Sequence, residues 1–138
     1  MKGFILSTHR LSSTEPQDNL GVLEIQERTE EEILQSGADV EAEMLKIGHH
    51  GSQTSTSTAF LDAVNPKYAL ISAKVGNKYD HPMPVTMEKL RERNIEVYRT
   101  DEQGTVVITI TAKEITFNCT PGDYLGGTQL SEKVKRGG

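Results

Sequence analysis

The chain is poor in the features that mark several functional classes. Its 138 residues include a single cysteine, Cys119, so no internal disulfide framework can form and a reducing compartment suits it. Basic residues are outnumbered, with 15 Lys and Arg against 20 Asp and Glu, a net charge of -5. That balance argues against a surface built for non-specific binding of nucleic acid or membrane, although a local field can oppose the net sign at one site. No apolar run approaches the roughly 18 residues of a membrane span, and residues 1–7 are too short for a signal-peptide core. The chain reads as soluble, without a signal peptide, and as cytoplasmic if it stands alone. At 35% hydrophobic and 25% charged residues it suits one compact domain over residues 1–120. Residues 121–138, Gly-rich and ending in basic residues, read as a flexible tail.

What is present is concentrated in one stretch, Leu45-Lys46-Ile47-Gly48-His49-His50-Gly51-Ser52-Gln53-Thr54-Ser55. A short apolar run stops at a glycine, two imidazoles, another glycine and a cluster of hydroxyls, the pattern of a buried strand ending in a polar loop. Before it, residues 4–8 are a brief apolar start, residues 20–25 read as a short strand, and Thr29-Glu30-Glu31-Glu32 as a capping box opening a helix that stops at Gly37. After it, Ser57 or Thr58 can cap a helix with Phe60, Leu61 and Val64 on one face, broken at Asn65-Pro66. Residues 68–73 form the next strand, and Pro84 opens a helix that reaches Arg93, with Asn94 as a left-handed terminator. Strands at 96–100, 105–111 and 115–119 follow, the last two as a hairpin. This order places the chain in the α/β class, with an antiparallel extension.

Loops that leave the carboxyl ends of parallel strands lie together, so the His49 loop and the His81 loop should meet. Neutral imidazoles gathered there suit a metal such as zinc. Adjacent histidines in a loop are also ordinary polar surface, and Ser52 can be a turn hydroxyl as readily as a ligand-orienting one. His81, between Asp80 and Pro82, is placed to act as a general acid or to orient a substrate, or it is a solvated neighbour of a turn. Asp101 either helps organise this edge or closes a type I turn. The acidic run at residues 27–32 reads as a helix start favoured by the dipole.

The His-pair stretch, Phe60-Leu61 with Pro66-Lys67-Tyr68-Ala69, Asn77-Lys78-Tyr79-Asp80-His81-Pro82, and Tyr98-Arg99-Thr100-Asp101 with Gly104 resemble the C-terminal half of the metallo-β-lactamase-like domain of ComEC-type DNA-uptake proteins. The resemblance covers roughly residues 27–110 in consistent order. It implies half of an αββα sandwich, with a mixed sheet, helices on one face and a C-terminal antiparallel hairpin. It also implies a metal-dependent hydrolase of phosphodiesterase or nuclease type, using zinc or manganese and acting on DNA or another phosphodiester. By that resemblance His49 is the last metal ligand, His50 and Ser52 line the same pocket as candidate catalytic residues, and His81 faces the substrate phosphate. A parent of this type would be membrane-attached, although no membrane segment lies in this chain.

Two departures accompany the resemblance. The family's first metal motif, His-x-His-x-Asp-His or His-x-Asp-x-Asp-His, has no counterpart here, and neither does the Thr-Gly-Asp that supplies a bridging aspartate. Glu24 stands near the aspartate position as a longer carboxylate; another alignment treats that strand as deleted. Because residues 44–47 and 68–73 are apolar at successive positions, both faces of the sheet need cover, and the helices supply it for one. The expectation is a homo-oligomer, a pairing with an N-terminal half, or a marginal fragment. The other reading is a non-catalytic half-domain that serves as a binding or oligomerisation module.

Overall fold

Side chains alternate across a strand, so neighbouring residues of one strand serve different layers. The computed structural model describes residues 3–5, 22–23, 30–37, 39–53 and 56–137. Five parallel strands, β1 (Gly3–Ile5), β2 (Val22–Leu23), β3 (Ala42–Lys46), β4 (Tyr68–Ile71) and β5 (Glu96–Arg99), form one sheet in the order β2-β1-β3-β4-β5. In register across it, Leu45 pairs with Ala69 and Ala69 with Val97. This row faces a core shared with Ile33 of α1 (Glu30–Gln35), Phe60, Leu61 and Val64 of α2 (Thr58–Val64), and Met87 and Leu90 of α3 (Pro84–Glu92).

Local chemistry sets the helix limits. The Ser57 hydroxyl accepts from the Phe60 N–H at 3.1 Å at the start of α2, and Asn65 ends it in the left-handed region with φ 49°. Pro84 is the first residue of α3, where its missing N–H costs nothing, and Asn94 follows that helix at φ 55°. Gly37, at φ 74°, closes α1 as expected. The capping box at Thr29 lies outside the described residues, but its neighbour Glu30 does something else. Its carboxylate accepts from the Thr56 and Ser57 N–H groups, tying α1 to the entrance of α2.

The expected mixed sheet is corrected. The antiparallel pair β6 (Ile108–Ile110) and β7 (Ile115–Phe117) forms its own two-stranded sheet instead of extending the parallel one. The chain leaves β5 through a short helix α4 (Thr100–Gln103) where a plain turn was expected, and Gly104 at φ 71° redirects it. The hairpin is held over the sheet's second face by aromatic contact: Phe117 stacks on Tyr98 with centroids 3.6 Å apart and meets Tyr68 edge-on at 5.1 Å. Met44 of β3 and the hairpin's own Ile115 are buried against each other between the two layers. Farther along the same face, Leu70 is half-buried, and burial lowers the pKa of the half-buried Lys46. The helices therefore cover one face, as expected, and the hairpin covers part of the other.

Residues 121–138, expected as a flexible tail, instead hold α5 (Gly127–Gly137), reached by a strap along β5. The strap seals the open edge of β5: Gly122 N–H donates to Val97 O at 2.6 Å, and the Tyr124 hydroxyl donates to Ile95 O at 2.6 Å. Arg99, with no exposed surface, anchors it. Its guanidinium donates to both Asp101 carboxylate oxygens at 2.7 and 2.8 Å, and to the carbonyls of Asp123 and Leu125 at 2.7 and 2.6 Å. Composition alone hid this, because the partners on the strap are backbone carbonyls.

Two consequences are measurable. Asp101→Ala leaves the buried guanidinium without its counter-charge, so urea unfolding should show a loss of about 3–5 kcal/mol. A change within about 0.5 kcal/mol, the range of ordinary surface substitutions, would contradict the pairing. Tyr98 is the second case: desolvation first, then the nearby Glu96 carboxylate, push its phenol up to about 12. The folded state favours the protonated phenol, so this contribution is complete below the unfolded pKa of about 10 and is lost as pH rises toward 12. Stability should fall across that window, and Tyr98→Phe should flatten the fall.

Candidate functional site

The carboxyl end of β3 delivers the two imidazoles on a tight backbone. Gly48–Gly51 forms a 3-10 turn in which His49 (φ 49°, ψ 40°) and His50 (φ 55°, ψ 24°) both sit in the left-handed region, followed by Gly51 at φ 84°. Non-glycine residues there each cost on the order of 1–3 kcal/mol, which the surrounding structure must supply. Several bonds do so. Ile47 N–H donates to Leu70 O at 2.9 Å, Ser52 N–H donates back to His49 O at 3.1 Å, and His50 bonds through Nδ1 to Ser72 O at 2.6 Å, at the end of β4. A carbonyl only accepts, so His50 Nδ1 carries the proton, and in the neutral ring Nε2 is left with its lone pair. Both imidazoles are exposed.

The second loop is built around Asn77. Its amide oxygen accepts from the N–H groups of Tyr79 (3.1 Å) and His81 (2.9 Å), while its amide nitrogen donates to Lys74 O (2.9 Å) and His81 O (2.6 Å). One side chain thus fixes both peptide groups of His81. The ring of His81, half-buried, stacks on Tyr79 with centroids 5.6 Å apart. Asp80 has φ 60° and accepts from the Thr128 N–H at 2.6 Å, capping α5. The Thr100 hydroxyl donates to Ala73 O and accepts from Ala73 N–H, both at 3.0 Å, and so ties the end of β4 to α4.

The two loops meet, as the strand order requires. Met83 N–H donates to Gly51 O at 2.8 Å, and the Thr86 hydroxyl donates to Ser52 O at 3.0 Å. A Cβ on Gly51 would lie 2.5 Å from Pro82 Cβ, so only glycine permits this approach. The C-terminal strap closes the arrangement from behind: Gly127 N–H donates to Pro82 O at 2.8 Å, and a Cβ at Gly127 would strike His81 O. His49, His50, Ser52 and His81 therefore belong to one edge. Glu24 lies outside the described residues. Asp101 contributes to the edge through Arg99 and the strap rather than by facing a ligand.

The roles of Asn77, Glu30, Arg99 and the strap were not read from sequence, although the first three stand in the motifs quoted above. That of Asn77 could have been, since an Asn four residues before a candidate His in a loop can bond its own backbone. Metal chemistry fits these residues poorly by themselves. Among the described residues, no three or more His, Cys, Asp or Glu side chains come together as a metal group. The edge, on the described residues, offers imidazoles, hydroxyls and backbone dipoles to a polar or anionic ligand, but not a complete metal centre.

Fold and edge together define an α/β domain whose two histidine loops converge at the carboxyl end of a parallel sheet. Comparison with known proteins adds a context. The chain is 35% identical over 98 residues to ComE operon protein 3 of Bacillus subtilis, a span of 71% of this chain and 13% of that protein. It is 41% identical over 68 residues to competence protein ComA of Neisseria gonorrhoeae, covering 49% of this chain and 10% of the relative. Recombination protein 2 of Haemophilus influenzae is 39% identical over 64 residues, 46% of this chain and 8% of its own length. The names indicate a competence family, of which this chain matches a small segment. No family profile matches the chain, and no solved structure does. No helix among the described residues is long and apolar enough to cross a membrane.

Gly51→Ala tests the convergence. The added methyl group must push Pro82 away and adopt a strained φ, so the variant should lose on the order of 1–3 kcal/mol of stability. It should also shift the His81 and His50 ring resonances together in a histidine-selective NMR spectrum. Movement of one ring without the other would show that the loops are not coupled through this contact.

Proposed function

We propose that this chain is the C-terminal half of a metallo-β-lactamase-like hydrolase domain of the DNA-uptake type, acting on a phosphodiester once further ligands join it. The observation that carries the reading is the convergence of the His49-His50 turn with the His81 loop at the sheet's carboxyl edge, held by the Gly51–Met83 and His50–Ser72 bonds. Similarity to ComE operon protein 3 over 71% of the chain, and to competence protein ComA over 49%, supports the same reading. On this reading His49 contributes one ligand to a zinc or manganese site whose other ligands come from outside the described residues. His50 and Ser52 line the pocket, and His81 faces the substrate phosphate. The partly covered second face of the sheet is where the companion half, or a second copy of the chain, would pack.

The second reading is a non-catalytic binding or oligomerisation module. The observation that favours it is the lack of a metal-ligating group among the described residues.

A chimaera separates the two. This chain is exchanged for the matched segment of the Bacillus subtilis relative, and manganese content and hydrolysis of a simple phosphodiester are measured. The chimaera should bind metal and turn substrate over, His49→Ala should lower both by about 100-fold or more, and the isolated chain should do neither. An inactive, metal-free chimaera, or one indifferent to His49→Ala, would leave the module reading in place.

A further inference from the structure

The aromatic residues with described side chains are buried or half-buried, apart from one. Tyr79 is 61% exposed, and it stands on the site's own rim. Its backbone is held there, because its N–H donates to the Asn77 side chain that also clamps His81. Its ring stacks on the His81 imidazole at an interplanar angle of 28°, and the Lys78 ammonium lies 5.1 Å from its centroid. Even with both neighbours the ring remains largely open to solvent.

The charges around it oppose the sign of the whole chain. Asp80, the acid of this loop, has its carboxylate engaged by the Thr128 N–H at the start of α5. Asp101, beyond β5, is spent on buried Arg99. Residues 74–81 therefore carry two exposed ammonium groups, on Lys74 and Lys78, against the one half-buried carboxylate of Asp80, a net positive loop. An exposed, pre-positioned ring flanked by flexible cations is the combination that binds single-stranded nucleic acid, since every base has a face to stack and every linkage a charge to meet.

We propose that Tyr79 is a stacking platform for one nucleobase of a single-stranded nucleic acid, with Lys78 and Lys74 taking the flanking phosphates. The proposal rests on the phosphodiesterase reading above and adds the group by which the strand is held beside the histidines. A base entering over the ring extends the His81–Tyr79 stack. The exposed Lys78 stem can then swing its ammonium from the ring to the neighbouring phosphate. Bases inside a duplex are already stacked on both faces, so double-stranded DNA gains nothing from this ring. Because Asn77 already orders the loop, little conformational entropy is lost on binding.

The chain contains no tryptophan, so Tyr79→Trp makes the full chain's indole fluorescence report this position alone. An oligothymidylate of about 12 nucleotides should quench it, and an abasic strand with the same phosphates should not. Tyr79→Ala should weaken binding of the oligothymidylate about ten-fold or more while Tyr79→Phe retains it, and all three proteins should bind the abasic strand alike. Equal affinity of wild type and Tyr79→Ala for oligothymidylate overturns the proposal. So does an equal loss on the abasic strand, or no binding by the wild-type chain. None of these measurements involves hydrolysis or metal: an active chimaera whose binding ignores Tyr79→Ala keeps the hydrolase reading and removes the platform.

Discussion

The arrangement of the site hangs on a guanidinium that water never reaches. Arg99 ends β5 with no exposed surface, and a buried cation is tolerable only when its donors are met. Asp101 neutralises it with two hydrogen bonds, and the remaining contacts go to carbonyls of the strap at Asp123 and Leu125. Those carbonyls fix where the strap runs, and the strap fixes Gly126 and Gly127. Gly127 bonds Pro82 O and abuts His81, while Gly126 leaves room only for Pro84. A requirement for charge neutralisation at the end of the last parallel strand is thus passed by backbone hydrogen bonds to the loop that carries a candidate functional histidine.

This dependence also explains what sequence reasoning reached and what it did not. The elements with local signals were legible: Ser57 before α2, Pro84 opening α3, and Asn65 and Asn94 closing helices. Convergence of the histidine loops followed from strand order alone. The strap did not, because its residues are glycine-rich and its bonds to Arg99 use main-chain oxygen, which leaves no mark on side-chain pattern. Nor did the hairpin's position. Alternation at residues 108–117 announces two paired strands, but whether they extend the sheet or fold over it is decided by the Tyr98–Phe117 stack, a contact between residues far apart in the chain.

The second face shows the same competition between local and distant demands. Met44 and Tyr68 find cover under the hairpin, whereas in the next row, Lys46–Leu70–Tyr98, Tyr98 is buried and Lys46 and Leu70 stay half-exposed. Burial already disfavours the charged form of Lys46. Any partner that covers this row must therefore bring a polar or anionic group for the ammonium, or the ammonium must give up its proton. An apolar partner alone would not suit the end of the face nearest the His49 turn.

Position and chemistry are separable in this edge. The bonds described for the loops, from His50 to Ser72, Gly51 to Met83, Asn77 to His81 and Asp80 to Thr128, all lie within the described residues. Together they brace the left-handed backbone at His49 and His50. Such preorganisation lowers what a ligand must supply in ordering the loop, but it cannot raise the number of ligating atoms. Two consequences of adding a companion segment can then be told apart. If it only completes a ligand set, the histidine loops should keep their present geometry; if it must also shape them, the hydrogen bonds that now hold them would have to break first.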